Sequence, residues 1–374
     1  MKLRMFLPQI FILTIAISVF VYLATRFADW AAGPGWAYAL ATLAWFASVM
    51  WGQLRLRQKH VAGAFSWIMS LVLGAGMTFF LYVFLGQLTE FIPWPYPEGQ
   101  VDRARAIAVI VLSAVTCVVG FFQATRGPSV VRVDVPIANL PAAFEGFAIA
   151  QISDLHVSHT IGRAYVEQVV ARTRELRADL IALTGDFADG FAHELREDIA
   201  PLAELTARHG KYFVTGNHEY YWGVEDWVET HRSLGARVLL NEHVVLHEGG
   251  ERLVVAGVTD IASGALRPDH RSSPKEAFRG APEGAPRILL AHQPSSLRQA
   301  RHEGVALQLS GHTHGGQWFP AWIFVRLAQR YLQGLYRSGD AWIYVNRGTG
   351  YWGPPLRFLV SPEITLLTLR RRSR

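Results

Sequence analysis

Cysteine is all but missing from this chain: Cys117 is the only one in 374 residues. An intramolecular disulfide is therefore excluded, as is any metal site built on paired thiolates. Cys117 lies inside an apolar run and reads as a small buried hydrophobe. Charge is also missing over long distances. Met5 to Thr25, Trp30 to Leu54, Val61 to Thr89 and Ala106 to Thr125 contain no Asp, Glu, Lys or Arg. Lacking acidic and basic side chains, these stretches offer no ion or proton pathway and read as anchors. No repeat of solenoid period and no nucleic-acid-binding module is apparent, so the net charge of +6 points toward anionic lipid.

Each uncharged stretch is long enough to cross a hydrocarbon core, which takes ~20 residues as helix. Tyr22, Trp30, Trp36, Trp51, Trp67 and Trp94 sit near their ends, as interfacial belts require. The first stretch is long for a leader's apolar region, and Ala24-Thr25-Arg26 is a poor cleavage site, so it reads as a retained span. Lys2, Arg4, Arg55, Arg57, Lys59, Arg126 and Arg132 flank one side, and Arg26, Arg103 and Arg105 the other. That bias predicts a multi-pass protein of the cell inner membrane with both the N-terminus and everything after residue 126 in the cytoplasm. Residues 1–126 are thus expected to form a membrane domain of four helices, and residues 127–374 a separate domain.

Past Gly127-Pro128, alternation from Val130 to Val135 predicts an edge strand. Helices are expected at Ala164–Leu176, Glu194–Arg208, Val224–Leu234 and Leu297–Arg301, and 262–286 reads as a surface loop. Short apolar runs between them (FAIAQIS, LIALT, KYFVT, ARVLL, HVVLH, RLVVAGV, RILLA, ALQLS, AWIYV, ITLLTL) read as strands, which makes the class α/β. From Trp318 to Arg337 aromatics alternate with Arg326, Arg330 and Arg337. An amphipathic helix is expected there, its apolar face either in the core or in a membrane interface.

Five of the strand-like runs end in residues able to coordinate metal. They lead to Asp154-Leu-His156, Gly185-Asp186-Phe-Ala-Asp189, Gly216-Asn217-His218-Glu219, His292 and Gly311-His312-Thr-His314. Ligands gather at the carboxyl ends of strands in open α/β sheets. Two Asp, one Asn and four His, with His218 left over, are too many donors for one ion and suit two. Their mixture of oxygen and imidazole fits Mn, Fe or Zn. The nine other histidines, His159 among them, read as solvated side chains.

Those five stretches, in that order, resemble the pattern of the calcineurin-like metallophosphoesterases: D-x-H, G-D-x-x-D, G-N-H-D/E, H and G-H-x-H. The resemblance spans roughly residues 130–370 and implies a sandwich of two sheets flanked by helices, with two divalent metal ions. It makes Asp186 the bridge between them, with Asp154, His156 and His314 completing one ion's shell and Asn217, His292 and His312 the other's. His218 corresponds to a histidine that contacts phosphate and protonates the leaving oxygen, and Asp189 to a residue that supports its loop. Gly348-Thr349-Gly350 reads as a tight turn, and Asn346-Arg347 before it as a candidate substrate contact.

The layout, membrane helices first, is similar to a branch with relatives that hydrolyse UDP-2,3-diacylglucosamine at a pyrophosphate phosphorus. The expectation is a membrane-anchored phosphoesterase acting on a phosphodiester or pyrophosphate in a lipid-linked substrate. It has the bilayer as partner, and neither a nucleic acid nor a protein partner is expected. Two alternatives stay open: a phosphoesterase for a soluble nucleotide or phosphoprotein, and a non-catalytic metal-binding membrane scaffold.

Overall fold

The computed structural model describes residues 17–56 and 63–371, and the chain divides into two compact units. The first runs to Phe122 and takes in Gly353–Phe358; the second holds Gln123–Trp352 and the chain from Leu359 onward.

The first unit is helical: α1 (17–30), α2 (Gly35–Leu56), α3 (Gly63–Leu88) and α4 (Glu98–Thr125). Two segments, Gly63–Phe91 and Glu98–Thr125, are long and apolar enough to cross a membrane. Of the four expected spans, the third and fourth meet that measure. The second is a 22-residue helix, long enough but with five Ala and three Trp against four Leu, one Val and no Ile. The first falls mostly outside the described residues. The α4 helix starts well before Ala106, and Arg105 pairs with Asp102 at 2.7 Å within its opening turns. Within this unit Arg357 is buried, and its N–H donates to the Gly120 carbonyl at 3.0 Å.

The second unit holds twelve described strands in two six-stranded sheets. They are β1 (Ser129–Ile137), β2 (Ala148–Ile152), β3 (Leu180–Thr184), β4 (Lys211–Val214), β5 (Arg237–Val238), β6 (Glu242–Glu248), β7 (Glu251–Gly257), β8 (Arg287–Leu290), β9 (Val305–Ser310), β10 (Gly334–Ser338), β11 (Ala341–Val345) and β12 (Glu363–Arg371). One sheet is ordered β1-β12-β2-β3-β4-β5, the other β10-β11-β9-β8-β7-β6. Strand β1 lies at the edge as its alternation predicts, pairing with β12 in parallel. Side chains of β3 alternate between layers: Leu180 and Ala182 join one apolar cluster, Ile181 and Leu183 the other. The first cluster lies between the sheets, where Ile149, Leu180 and Val214 meet Val255, Ile288 and Leu307. This is the α/β sandwich expected.

On the outer face of the first sheet pack α5 (Arg163–Glu175), α6 (Ala192–Ile199) and α8 (Val224–Ser233), with short α7 (Asn217–Tyr221) leading into α8. Four local expectations need correction; one is the helix foreseen at Leu297–Arg301, where the chain instead makes a 3-10 turn at Pro294–Arg298. The helix foreseen over Glu194–Arg208 stops at Ile199 and tightens into a 3-10 turn, since Pro201 has no N–H to continue it. The loop at 262–286 carries short helical turns at Ser263–Leu266 and Pro274–Ala277. The stretch Trp318–Arg337 is helical only over Trp322–Ala328. Its chain turns extended at Gln329, and strand β10 begins at Gly334.

Candidate metal centre

Strands β2, β3, β4, β8 and β9 all release the chain on one side, and each release carries a candidate ligand. The turns are sharp. Asp154, His156, Asp186, His312 and His314 all have φ between 50° and 70°, the left-handed region that Asp and His tolerate better than branched residues. Such geometry persists only where neighbours over-determine it. Here they do: Asp154 Oδ1 accepts the His312 N–H at 2.8 Å, and Asp186 Oδ1 accepts the His218 N–H at 2.8 Å. Gly311 permits the approach, since a Cβ there would sit 2.0 Å from Asp154 Oδ2.

Two sets of donors converge. Asp154, His156 and His314 form one, Asp186, His292 and His312 the other; within each set the ligand atoms lie within 4.8 Å of one another. His156 Nε2 faces His314 Nε2 at 2.9 Å, and His292 Nε2 faces Asp186 Oδ2 at 3.0 Å. The second nitrogens are already engaged: His156 Nδ1 contacts Asp189 Oδ1 at 3.1 Å, and His292 Nδ1 donates to the Thr184 carbonyl at 2.8 Å. The Nε2 atoms of His156 and His292 are thereby left as lone pairs turned toward the cluster, where a cation or a proton suits them. Asn217 Oδ1 is buried beside them with no donor. The residues present fit two cations.

The electrostatics agree. Burial pushes the Asp186 carboxyl up, but the adjacent His292, His218 and His156 outweigh it and hold the acid well below its usual range. Burial likewise lowers His292, yet Asp186 and Asp154 raise it well above 6.5. His218 reaches about 9 because the Asp189 hydrogen bond and the Asp186 charge override its burial. Divalent cations nearby would oppose that rise by plain Coulomb repulsion.

Asp189 does more than support its loop. One oxygen, Oδ1, lies 3.1 Å from His156 Nδ1 and 2.5 Å from His218 Nδ1. Glu219 has a structural role that went unread in sequence, although it stands inside a motif. Fully buried, it accepts the backbone N–H groups of Asp186 (3.0 Å), Phe187 (2.7 Å) and Gly216 (2.6 Å), clamping two ligand-bearing turns together. Burial, then the neighbouring Asp186, raises its pKa to about 7. Buried Asp260 follows β7 and accepts from Gln293 Nε2 at 3.0 Å, next to His292; no motif signalled it.

The other candidates are exposed or are engaged with other partners. His159 is exposed. Gly348–Gly350 is a turn whose Thr349 and Gly350 N–H groups donate to the Ser153 and Asp154 carbonyls. Arg347 Nε bonds the buried Glu363 at 2.6 Å, and Asn346 Nδ2 donates to Thr365. His231, expected to be solvated, is buried, because Val224, Trp227, Val228 and His231 line the inward stripe of α8.

With this geometry in hand, the chain can be set beside known proteins. The calcineurin-like phosphoesterase pattern matches residues 147–316, which hold all five stretches. A transmembrane protein with metallophosphoesterase domain from Danio rerio is 36% identical over 309 residues, covering 79% of this chain and 71% of that one. The chain belongs to the calcineurin-like metallophosphoesterases. A protein of the same description from Bos taurus is 35% identical over 314 residues, covering 79% and 71%. A metallophosphoesterase from Helicobacter pylori is 36% identical over 252 residues, covering 67% of this chain and 66% of that one. Members typically hold two divalent metals, and this phosphoesterase has the donor clusters for them. It is a metal-dependent phosphoester hydrolase.

Proposed function

We propose that the chain is a membrane-anchored phosphodiesterase or pyrophosphatase whose substrate is lipid-linked, of the UDP-2,3-diacylglucosamine kind. Asp154, His156 and His314 would hold one divalent ion, Asn217, His292 and His312 the second, with Asp186 shared; Mn, Fe or Zn suits these donors. When bound, such a pair polarises a phosphoryl oxygen and provides a strong oxygen nucleophile near neutral pH. The single observation that carries the hydrolytic reading is the placement of His218. Its Nδ1 is bound by Asp189, and its Nε2 lies 3.9 Å from Asp186 Oδ2, on the donor side. A protonated His218 keeps Nδ1–H on Asp189 and passes Nε2–H to the leaving oxygen as the P–O bond breaks.

The lipid-linked part rests on other features. Two apolar helices of spanning length precede the hydrolase domain, and relatives are described as transmembrane proteins. On the hydrolase unit itself, Leu327 and Leu359 are 81% and 69% exposed, and Phe324 is 45% exposed. The residues after 126 would face the cytoplasm, which a C-terminal reporter fusion reads directly. The deciding assay uses the full-length protein in detergent micelles with Mn2+. It offers UDP-2,3-diacylglucosamine, phospholipids, nucleotides and aryl phosphodiesters side by side. The lipid-linked substrate should be turned over fastest, with stimulation by mixed micelles. Equal turnover of nucleotides without lipid would replace this reading with the soluble-substrate one.

A further inference from the structure

Two large aromatic side chains stand half in water beside His218. The Trp352 ring lies 6.1 Å from the His218 ring at an interplanar angle of 82°, and the Tyr221 ring lies 5.3 Å away at 58°. They are 55% and 57% exposed, while neighbours of the same type are turned inward. Tyr351 is buried with its hydroxyl on the Thr160 carbonyl, and Tyr220 reaches His270 Nδ1 at 3.1 Å. Isolated exposed hydrophobes need no explanation, but a pair flanking a reactive group does.

The holding is specific. Buried Gln317, three residues after the candidate ligand His314, turns both ends of its amide to the Trp352 backbone. Its Nε2 donates to the Trp352 carbonyl at 2.8 Å, and its Oε1 accepts the Trp352 N–H at 2.9 Å. Gln317 does this from a left-handed φ of 58°. On the other side, Tyr221 closes α7, the same turn that begins with Asn217 and carries His218. The backbones that carry both rings are thus tied to the turns that bear the donors. Next to Tyr221, Trp222 meets the exposed Phe191 ring at 5.3 Å, which extends the apolar rim.

We propose that Trp352 and Tyr221 form an aromatic wall that receives a planar ring on the ester group lying beside His218, and so select phosphate esters carrying one. This deepens the phosphoesterase assignment proposed above and rests on it for the position of the phosphate. A phosphate seated among the donors places the substituent nearest His218 against these two rings, where stacking is favourable and indifferent to ring identity. An aryl group and a nucleobase share that chemistry.

The test is binding, so it does not depend on turnover. Dissociation constants of phenyl phosphate, adenosine 5′-monophosphate and methyl phosphate would be measured by calorimetry. The samples are the full-length protein in micelles with Mn2+, wild type and Trp352→Ala. Wild type should hold one or both ring-bearing ligands about tenfold tighter than methyl phosphate. Trp352→Ala should bring all three within about twofold, with Trp352→Phe restoring part of the difference. Which ring-bearing ligand binds tighter tells aryl from nucleobase selection. If Trp352→Ala fails to fold, Tyr221→Ala gives the same comparison. A wild type indifferent to the ring, or a variant weakened equally toward all three, overturns the proposal. Failure to hydrolyse any diester, with ring preference in binding intact, would count against the proposed reaction and leave the wall standing.

Discussion

Asp189 Oδ1 lies 2.5 Å from His218 Nδ1, and the same oxygen is 3.1 Å from His156 Nδ1. One carboxylate therefore orients a candidate ligand and the candidate proton donor together, and their imidazoles hold it well below the usual range against its own burial. Asp189→Asn should lower metal retention or kcat/KM by about 10- to 100-fold, the typical cost of losing such a partner. Metal content by mass spectrometry and steady-state kinetics would check it; a variant with full metal and full activity would show that Asp189 only supports its loop.

Glu219 takes three backbone N–H groups from two turns. A glutamine there would present an amide donor to at least one of those N–H groups, so Glu219→Gln should cost about 2 kcal/mol or more. Thermal unfolding of the purified variant would reveal a lowered midpoint. An unchanged midpoint would mean the turns hold without the clamp.

Gly311 leaves no room for a side chain: a Cβ would lie 2.0 Å from both Asp154 Oδ2 and Ser153 Oγ. Gly311→Ala should push Asp154 away from His156 and His314 and lower kcat by about 100-fold, as ångström-scale misplacement does. The same change at Gly99, where nothing lies within 4 Å and φ is not left-handed, serves as the control for position.

His231 stacks on Phe213 with ring centroids 3.7 Å apart and an interplanar angle of 12°, and neither ring nitrogen has a hydrogen-bond partner. Burial, with a smaller contribution from Lys211, lowers its pKa to about 3. The unfolded chain, titrating near 6.5, binds the extra proton between those values, so stability is complete above pH 6.5 and falls as pH drops toward 3. At pH 5 the loss is about 2 kcal/mol. His231→Phe should flatten this acid limb of the melting curve while changing little at pH 8. Parallel pH profiles for the two proteins would refute it.

Much of the site was legible because its chemistry is local. Asp154-Leu-His156 and His312-Thr-His314 each end a strand, and the turns they need leave a mark in residue type: Asp, His and Gly where φ turns positive. The layer pattern of β3 follows from simple alternation. What was misread depended on neighbours far along the chain. His231 looks like any surface histidine until the stripe of α8 is laid on Phe213 and Phe187. Asp260 and Gln317 stand in no motif, and their partners Gln293 and Trp352 are 33 and 35 residues away.

By itself, then, the sequence determined the α/β class, the family and the candidate donors, because strand periodicity and donor spacing are short-range properties of the chain. Only the tertiary structure decided which donors share a point in space. It also showed that a single Asp189 oxygen serves both His156 and His218, and that Trp352 is held open beside them. Those relations arise where turns far apart in the chain meet, those after β2, β3 and β4 for Asp189 and the one after β11 for Trp352, and hydrogen bonds across such a meeting have no spacing in sequence to betray them.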